Sequence, residues 1–213
     1  SQGHVQFTAQ TERWQETITF GRKNALHQAR EEDLGSALNA QGAIYVEAGG
    51  DIAGRAVNLV AQDDLSLRAQ GDITFEAGQI HTTLDDQWYS RDRGFLSSSE
   101  STFKWHEDAR RSQPSTITGE TVELWAGGDL RITGSNVGAQ RDLTLEAQQQ
   151  VAITPAINTV HAWVYEQTRQ SGFGALGGLS YGQRKQTDRR QRERTDAAPS
   201  TVGSVEGDVR IHA

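Results

Sequence analysis

The sequence predicts an all-β protein: a parallel β-helix, a solenoid of short stacked coils, from which hairpin arms protrude. Three observations predict it. A short alternating unit recurs along the chain, its copies follow in steps of 8 or 13, and three polar excursions interrupt them at long intervals.

The unit is an apolar residue, any residue, a second apolar residue, any residue, then alanine. It occurs at Val5/Phe7/Ala9, Ile44/Val46/Ala48, Val57/Leu59/Ala61, Leu65/Leu67/Ala69 and Ile73/Phe75/Ala77. It returns at Val122/Leu124/Ala126, Leu143/Leu145/Ala147 and Val209/Ile211/Ala213, and without the alanine at Leu130/Ile132 and Val151/Ile153. Strict alternation marks a strand with one buried face. No useful length of the chain carries helical periodicity.

Spacing turns these strands into an architecture. Ile44 to Val57 is a step of 13, and Val57 to Leu65 and Leu65 to Ile73 are steps of 8. One short and one long step together make 21, which separates Ile44 from Leu65, Val122 from Leu143 and Leu130 from Val151. Two or three short strands per turn of roughly 20 residues is the arithmetic of a β-helix, with equivalent strands stacked about 4.8 Å apart. The alanines predict small corners that do not crowd a narrow interior.

Turn chemistry agrees. Gly-Asp precedes a strand at Gly50-Asp51, Gly71-Asp72, Gly128-Asp129 and Gly207-Asp208, and Asp alone does so at Asp64 and Asp142. The glycines are expected to supply positive φ, and the carboxylates to accept backbone amides. Calcium-binding nonapeptide repeats need Gly-Gly-x-Gly-x-Asp at period nine, which these residues do not follow, so structural turns are expected.

The excursions run over roughly 10–41, 81–118 and 159–204. A longer period links them: Ile44 and Val122 stand 78 apart, as do Gly94-Phe95 and Gly172-Phe173. They hold Trp14, Trp88, Trp105 and Trp163, and alternation such as Thr17-Ile18-Thr19-Phe20 predicts extended hairpins. The whole is read as a single β-helix segment, residues 1–213.

Composition limits the function classes. Apolar residues reach 35% and mean hydropathy is −0.65; globular domains use about 45–50% apolar residues, so an elongated shape or a core with polar appendages is expected. A net charge of −7 argues against a nucleic-acid binder held by bulk electrostatics. No run of about 18 apolar residues offers a transmembrane helix. Zero cysteines exclude disulfides and cysteine-based zinc sites. The absence of methionine, position 1 included, suggests an internal fragment of something larger.

Two stretches carry a family resemblance. Pro199-Ser-Thr-Val-Gly203-Ser-Val-Glu-Gly-Asp-Val209 and Gly128-Asp-Leu-Arg-Ile-Thr-Gly-Ser-Asn-Val137 resemble hemagglutinin repeats of filamentous-hemagglutinin-like exoproteins from bacterial two-partner secretion. Ser171-Gly-Phe-Gly-Ala-Leu-Gly-Gly-Leu-Ser180 resembles the glycine-rich hairpin tip in contact-dependent growth inhibition exoproteins. The resemblance implies a right-handed helix, export by a cognate outer-membrane β-barrel transporter, and a secreted place on the bacterial cell surface. It further implies adhesion, or delivery of a toxin to a target cell through its envelope or a receptor. The first arm departs by lacking a Ser/Gly-rich tip, and the arms are richer in Arg, Trp and Gln than the family pattern.

Catalytic motifs are weak by comparison. Gly172-x-Gly174-x-x-Gly177 matches the dinucleotide fingerprint, and Gly178-x-Ser180-x-Gly182 a nucleophile elbow, but both need a strand–turn–helix and no helix start follows. The histidines lack metal spacing, though His81 and His161 sit where arms leave the coils and stacking could bring them together. Asp63-Asp64 and Asp85-Asp86 could be glycosidase carboxylates, so a pectin-lyase-like enzyme acting on polysaccharide is the rival reading. The leading one is non-enzymatic and needs no cofactor, metal or nucleic acid. Its candidate partner-binding residues are Arg184, Lys185, Arg189, Arg190, Arg192 and Arg194, six cations with only Asp188 and Glu193 among them. Such a run could hold an anionic surface, and the exposed aromatics beside it (Trp163, Tyr165, Phe173, Tyr181) either add contact area or pack one hairpin strand on the other.

Overall fold

The computed structural model describes residues 3–173 and 181–213. Short strands follow one another in a fixed cycle, and at every second coil the cycle is interrupted by a long hairpin. The first coil begins with β1 (Val5–Phe7), leaves as the hairpin β2 (Gln10–Thr19) and β3 (Ala25–Leu34), and returns as β4 (Ala37–Ala40) and β5 (Ile44–Ala48). An uninterrupted coil follows: β6 (Ile52–Arg55), β7 (Asn58–Ala61) and β8 (Leu65–Ala69). After β9 (Ile73–Glu76) comes the second hairpin, β10 (Gly78–Arg93) and β11 (Ser97–Gln113), then β12 (Thr116–Gly119) and β13 (Val122–Ala126). A second plain coil holds β14 (Leu130–Thr133), β15 (Asn136–Ala139) and β16 (Leu143–Ala147). The last opens with β17 (Val151–Thr154), extends the hairpin β18 (Ala156–Phe173) and β19 (Tyr181–Ala198), and closes with β20 (Thr201–Ser204) and β21 (Val209–His212).

The short strands form three five-stranded parallel sheets, ordered β1-β6-β9-β14-β17, β4-β7-β12-β15-β20 and β5-β8-β13-β16-β21. Like residues stack on like. Ile44 pairs with Leu65, Leu65 with Val122 and Val122 with Leu143, while Ala48, Ala69, Ala126 and Ala147 form a neighbouring column. All of these are buried, and the hydrophobic core among the described residues consists of coil residues. Each fully buried Leu or Ile contributes roughly 1.5–3 kcal/mol. The columns also trade volume: a Cβ at Gly54 would lie 2.9 Å from the Phe75 ring, so the glycine gives the buried ring its room.

The corners differ from the sequence expectation in one respect. Three of the six carboxylates cap amides, and they do so from coil to coil: Asp51 Oδ1 accepts from Asp72 N–H at 2.9 Å, and Asp72 Oδ1 from Asp129 N–H at 2.8 Å. Asp142 does the same for Asp208 at 2.9 Å. The glycines, however, do not serve positive φ. Among the described residues positive φ occurs at Gly21, Gly134, Gly172 and Ala56. Gly71 is required instead by closeness, because a Cβ there would lie 2.0 Å from Asp51 Oδ1; at Gly128 the clash would be with Asp72 Oδ1 at 2.1 Å. The carboxylate of one coil occupies the space where the next coil's side chain would begin.

The three hairpins do not project separately. They join edge to edge in one six-stranded antiparallel sheet, ordered β2-β3-β10-β11-β18-β19. β3 pairs with β10 from Ala25↔Gln87 to Glu32↔Ile80, and β11 pairs with β18 from Ser97↔Gly172 to Arg110↔Thr159. The reason is metric. Strands in a sheet and coils in a β-helix share a spacing of about 4.8 Å, so a two-stranded hairpin is as wide as two coils. A hairpin on every second coil therefore fills the sheet with neither gap nor overlap.

The base of each arm is closed by a serine. Ser36 Oγ donates to the Thr8 carbonyl (2.9 Å), Ser115 Oγ to Glu76 (2.7 Å) and Ser200 Oγ to Thr154 (2.7 Å). Asp33, buried at the foot of the first arm, accepts from Thr11 Oγ1 (3.0 Å) and Gln79 N–H (2.9 Å) and pairs with Arg55.

Candidate functional site

Successive residues of a strand point to opposite faces, so cross-strand register assigns every arm residue to one of two faces. One row runs across all six strands: Thr17, His27, Asp85, His106, Trp163 and Gln191. That side, the histidine face, also carries His81, Asp108, His161 and Glu193 in the adjacent rows. The opposite side, the apolar face, carries Leu26, Leu84, Trp88, Phe103, Trp105, Val160 and Val164. The basic run on β19 is divided by the same rule. Lys185 and Arg189 belong to the histidine face, and Arg184, Arg190, Arg192 and Arg194 to the apolar face.

The histidine face is laced by hydrogen bonds. His106 donates through Nδ1 to Asp85 Oδ1 at 2.6 Å, and its ring stacks on Trp163 with centroids 5.7 Å apart and planes at 24°. His81 donates through Nε2 to Asp108 Oδ2 at 2.7 Å, and Asp108 pairs in register with His161, whose Nδ1 lies 3.6 Å from Glu193. Asp108 thus stands between His81 and His161, the two histidines that coil stacking could have brought together. Among the described residues no group of three His, Cys, Asp or Glu side chains is arranged to hold a metal ion.

A cleft of about 690 Å³ opens on the histidine face beside Trp163. Thr102, Lys104, Tyr165, Gln167 and Arg189 help line it. The Arg189 guanidinium lies over the Tyr165 ring, 5.3 Å from its centroid. The Gln167 amide donates to the Tyr165 hydroxyl and, at 3.3 Å, to Thr187 Oγ1. Both rings therefore have fixed neighbours. On the apolar face a second cleft of about 500 Å³ has Trp105, Val160 and Val164 on one side and Arg190, Arg192 and Arg194 on the other. Arg190 donates to Asp188 Oδ2 at 2.7 Å, and this bond first, then the Asp188 charge and that of Glu166, raises its pKa above the usual guanidinium value. Arg194 pairs with Asp196 at 2.6 Å.

Of the two acidic pairs, Asp85–Asp86 does not face one substrate as a glycosidase pair must. Asp85 and Asp86 are consecutive strand residues on opposite faces, and Asp64 accepts the Thr121 hydroxyl at a coil corner. Of the aromatics beside the basic run, Phe173 and Tyr181 do pack on one another across the hairpin, edge to face at 6.2 Å. The core of the fingerprint and nucleophile-elbow motifs, residues 174–180, lies outside the described residues. Sequence reasoning missed Thr102, Lys104 and Gln167, since only the register of β11 on β18 brings them to Trp163.

Comparison with known proteins places this geometry in a family. The family model described as the hemagglutinin repeat matches residues 19–92 and 96–213. The chain is 31% identical to the 16S rRNA endonuclease CdiA of Enterobacter cloacae subsp. cloacae, over 84% of its own length and 6% of that protein's. It is 33% identical to the Toxin CdiA of Escherichia coli over 92% of its length and 6% of that protein's. With the tRNA nuclease CdiA of Escherichia coli strain STEC_O31 the figures are 31%, 70% and 5%. The chain therefore spans only a small fraction of these relatives. No solved structure matches it.

Proposed function

The chain belongs to the hemagglutinin repeat family, and on that premise we propose that it is a non-enzymatic structural and interaction module of a secreted bacterial surface exoprotein. It serves adhesion, or contact-dependent delivery of a toxin carried elsewhere in the longer protein. Residues 1–213 act as a single β-helix segment with excursions at about 10–41, 81–118 and 159–204. The coils wind right-handed, as parallel crossovers overwhelmingly do, at about 20 residues per turn. Export runs through a cognate outer-membrane β-barrel transporter, and the partner beyond it is the target-cell envelope or a receptor on it. The arm cations Arg184, Lys185, Arg189, Arg190, Arg192 and Arg194 make that contact. No cofactor is involved.

The observation that carries this reading is the six-stranded arm sheet. The coils alone already provide a rod with a continuous core. A fourth sheet that lies outside that core, exposes Trp14, Trp88 and Trp163, and ends on an arginine-rich strand is surface offered to a partner.

The test uses a full-length exoprotein containing this segment. Each hairpin is replaced by the short corner of a plain coil, Arg55-Ala56-Val57, so that the helix continues without arms. Surface display is expected to persist, because the core is untouched, while association with target cells and toxin delivery fall. Delivery undiminished by loss of the arms would end the interaction reading.

A further inference from the structure

We propose that the histidine-face cleft beside Trp163 is a binding site for an acidic saccharide: a pyranose unit carrying a carboxylate or another anionic group. The inference rests on the interaction reading above and deepens it: it shares Trp163, Lys185 and Arg189 with that reading and adds Thr102, Lys104, Tyr165 and Gln167.

Trp163 is the platform. It is 41% exposed, and one neighbour, His106, is stacked on it while Asp85 holds His106 in place. The indole is thereby oriented before any ligand arrives, which spares a ligand the cost of ordering it. Tyr165 follows two residues along the same strand, on the same face, with its own orientation set by Arg189 and Gln167. Two fixed rings in succession suit the C–H faces of two successive sugar units. An aromatic surface of this kind binds by excluding water from apolar C–H groups, and it does so with rings that lose little freedom.

The rim supplies the polar half. Thr102 and Gln167 bring a hydroxyl and an amide to the cleft, groups that donate to and accept from sugar hydroxyls. Lys104 and Arg189 add positive charge within the same cleft. Farther along the face, adjacent hollows are lined by Lys23, Arg169 and Lys185, with Glu100 as the acid among them, itself paired to Arg91 at 3.1 Å. In a chain of net charge −7 this is a local reversal of sign. It selects an anion by steering and by charge-assisted hydrogen bonds, the Arg189 fork being shaped for a planar carboxylate.

Two other occupants fit less well. A membrane would be met by the apolar face on the other side of the sheet. A single-stranded nucleic acid would also stack on the rings, but its affinity would follow phosphate neutralisation, with a steep loss in salt.

Titration calorimetry on the full chain tests the proposal with three probes: oligogalacturonate of about six units, a neutral gluco-oligosaccharide of equal length, and a single-stranded oligonucleotide. The expected result is binding of oligogalacturonate at least about tenfold tighter than the neutral oligosaccharide. Trp163→Ala weakens it about tenfold or more, as truncation of an aromatic anchor does, whereas Trp163→Phe keeps most of it. Lys104→Gln with Arg189→Gln abolishes the preference for acid over neutral sugar. Should Trp163→Ala disturb the fold, visible in its far-ultraviolet spectrum, the Trp163→Phe and Lys104/Arg189 variants carry the test. Absence of oligogalacturonate binding, binding indifferent to Trp163, or tighter binding of the oligonucleotide would each overturn the proposal. Charge reversal at Arg192 and Arg194, which line only the cleft on the other face, leaves saccharide binding unchanged while it tests cell association, so the two readings fail separately.

Discussion

The Ser115 hydroxyl donates to the Glu76 carbonyl at 2.7 Å, joining the residue where the second arm leaves the helix to the residue where it returns. Thirty-nine positions separate the two, against 28 for Ser36 and Thr8 and 46 for Ser200 and Thr154, yet the bond is the same. Arm length is thus uncoupled from the geometry at the base. Ser115 is fully buried and also accepts the Val57 amide at 2.9 Å.

Ser115→Ala is expected to lower stability by about 1–3 kcal/mol, because it leaves the buried Val57 amide without this partner, while the Glu76 carbonyl keeps the Ala56 amide at 3.1 Å. Urea unfolding followed by circular dichroism measures it. A midpoint equal to that of the parent would show that the clamp does not hold the base.

Gly71→Ala should cost at least about 2 kcal/mol through overpacking, since the new Cβ would fall 2.0 Å from Asp51 Oδ1. Asp51→Ala removes both that obstacle and the cap on Asp72 N–H. The double substitution should therefore cost clearly less than the two single effects added together. Strict additivity would separate the glycine from the carboxylate.

Ala56→Gly should stabilise the protein slightly. Ala56 has φ 53°, and the corresponding corner of the other plain coil holds Gly134 at φ 57°. A left-handed non-glycine residue costs about 1–2 kcal/mol, and the added freedom of glycine in the unfolded chain takes back about 0.5–1 kcal/mol. The net gain is roughly 0.5 kcal/mol by these two opposing effects, read as a small rise in melting temperature.

The arm cations should act as two groups. Reversing Arg190, Arg192 and Arg194 alters one face of the sheet, and reversing Lys185 and Arg189 the other. Cell association measured at two ionic strengths is expected to respond unequally to the two sets, with the responding face showing the larger salt dependence. Equal responses would mean that the partner reads net charge and not a face.

Much of the helix was legible because the stacking partner of a coil residue is often 21 positions away, as Ile44 is from Leu65. Period and alternation together named the strands of two coil sheets; of the third they named only the strand of Leu59, and the reading put Ile117 and Val202 inside the excursions. The reason for Gly71 was not legible, because the atom that forbids a side chain there belongs to Asp51, one coil below. The continuous arm sheet was hidden for a related reason: alternation says that β10 is a strand but not that β3 is its second neighbour. That follows only from the width of a hairpin against the rise of a coil. Trp163 stands out in the sequence as an exposed ring, yet its setting depends on His106, which belongs to the preceding arm.

The matching of hairpin width to coil rise constrains how such proteins can evolve in length. Losing one plain coil would force neighbouring hairpins into the same space, and gaining one would open a strand-wide slot between them. Gene duplications and deletions should therefore survive selection as whole units of two coils and one hairpin, the long period that relates Ile44 to Val122 in this chain. Hairpin tips, which no adjacent coil must accommodate, are free to change size.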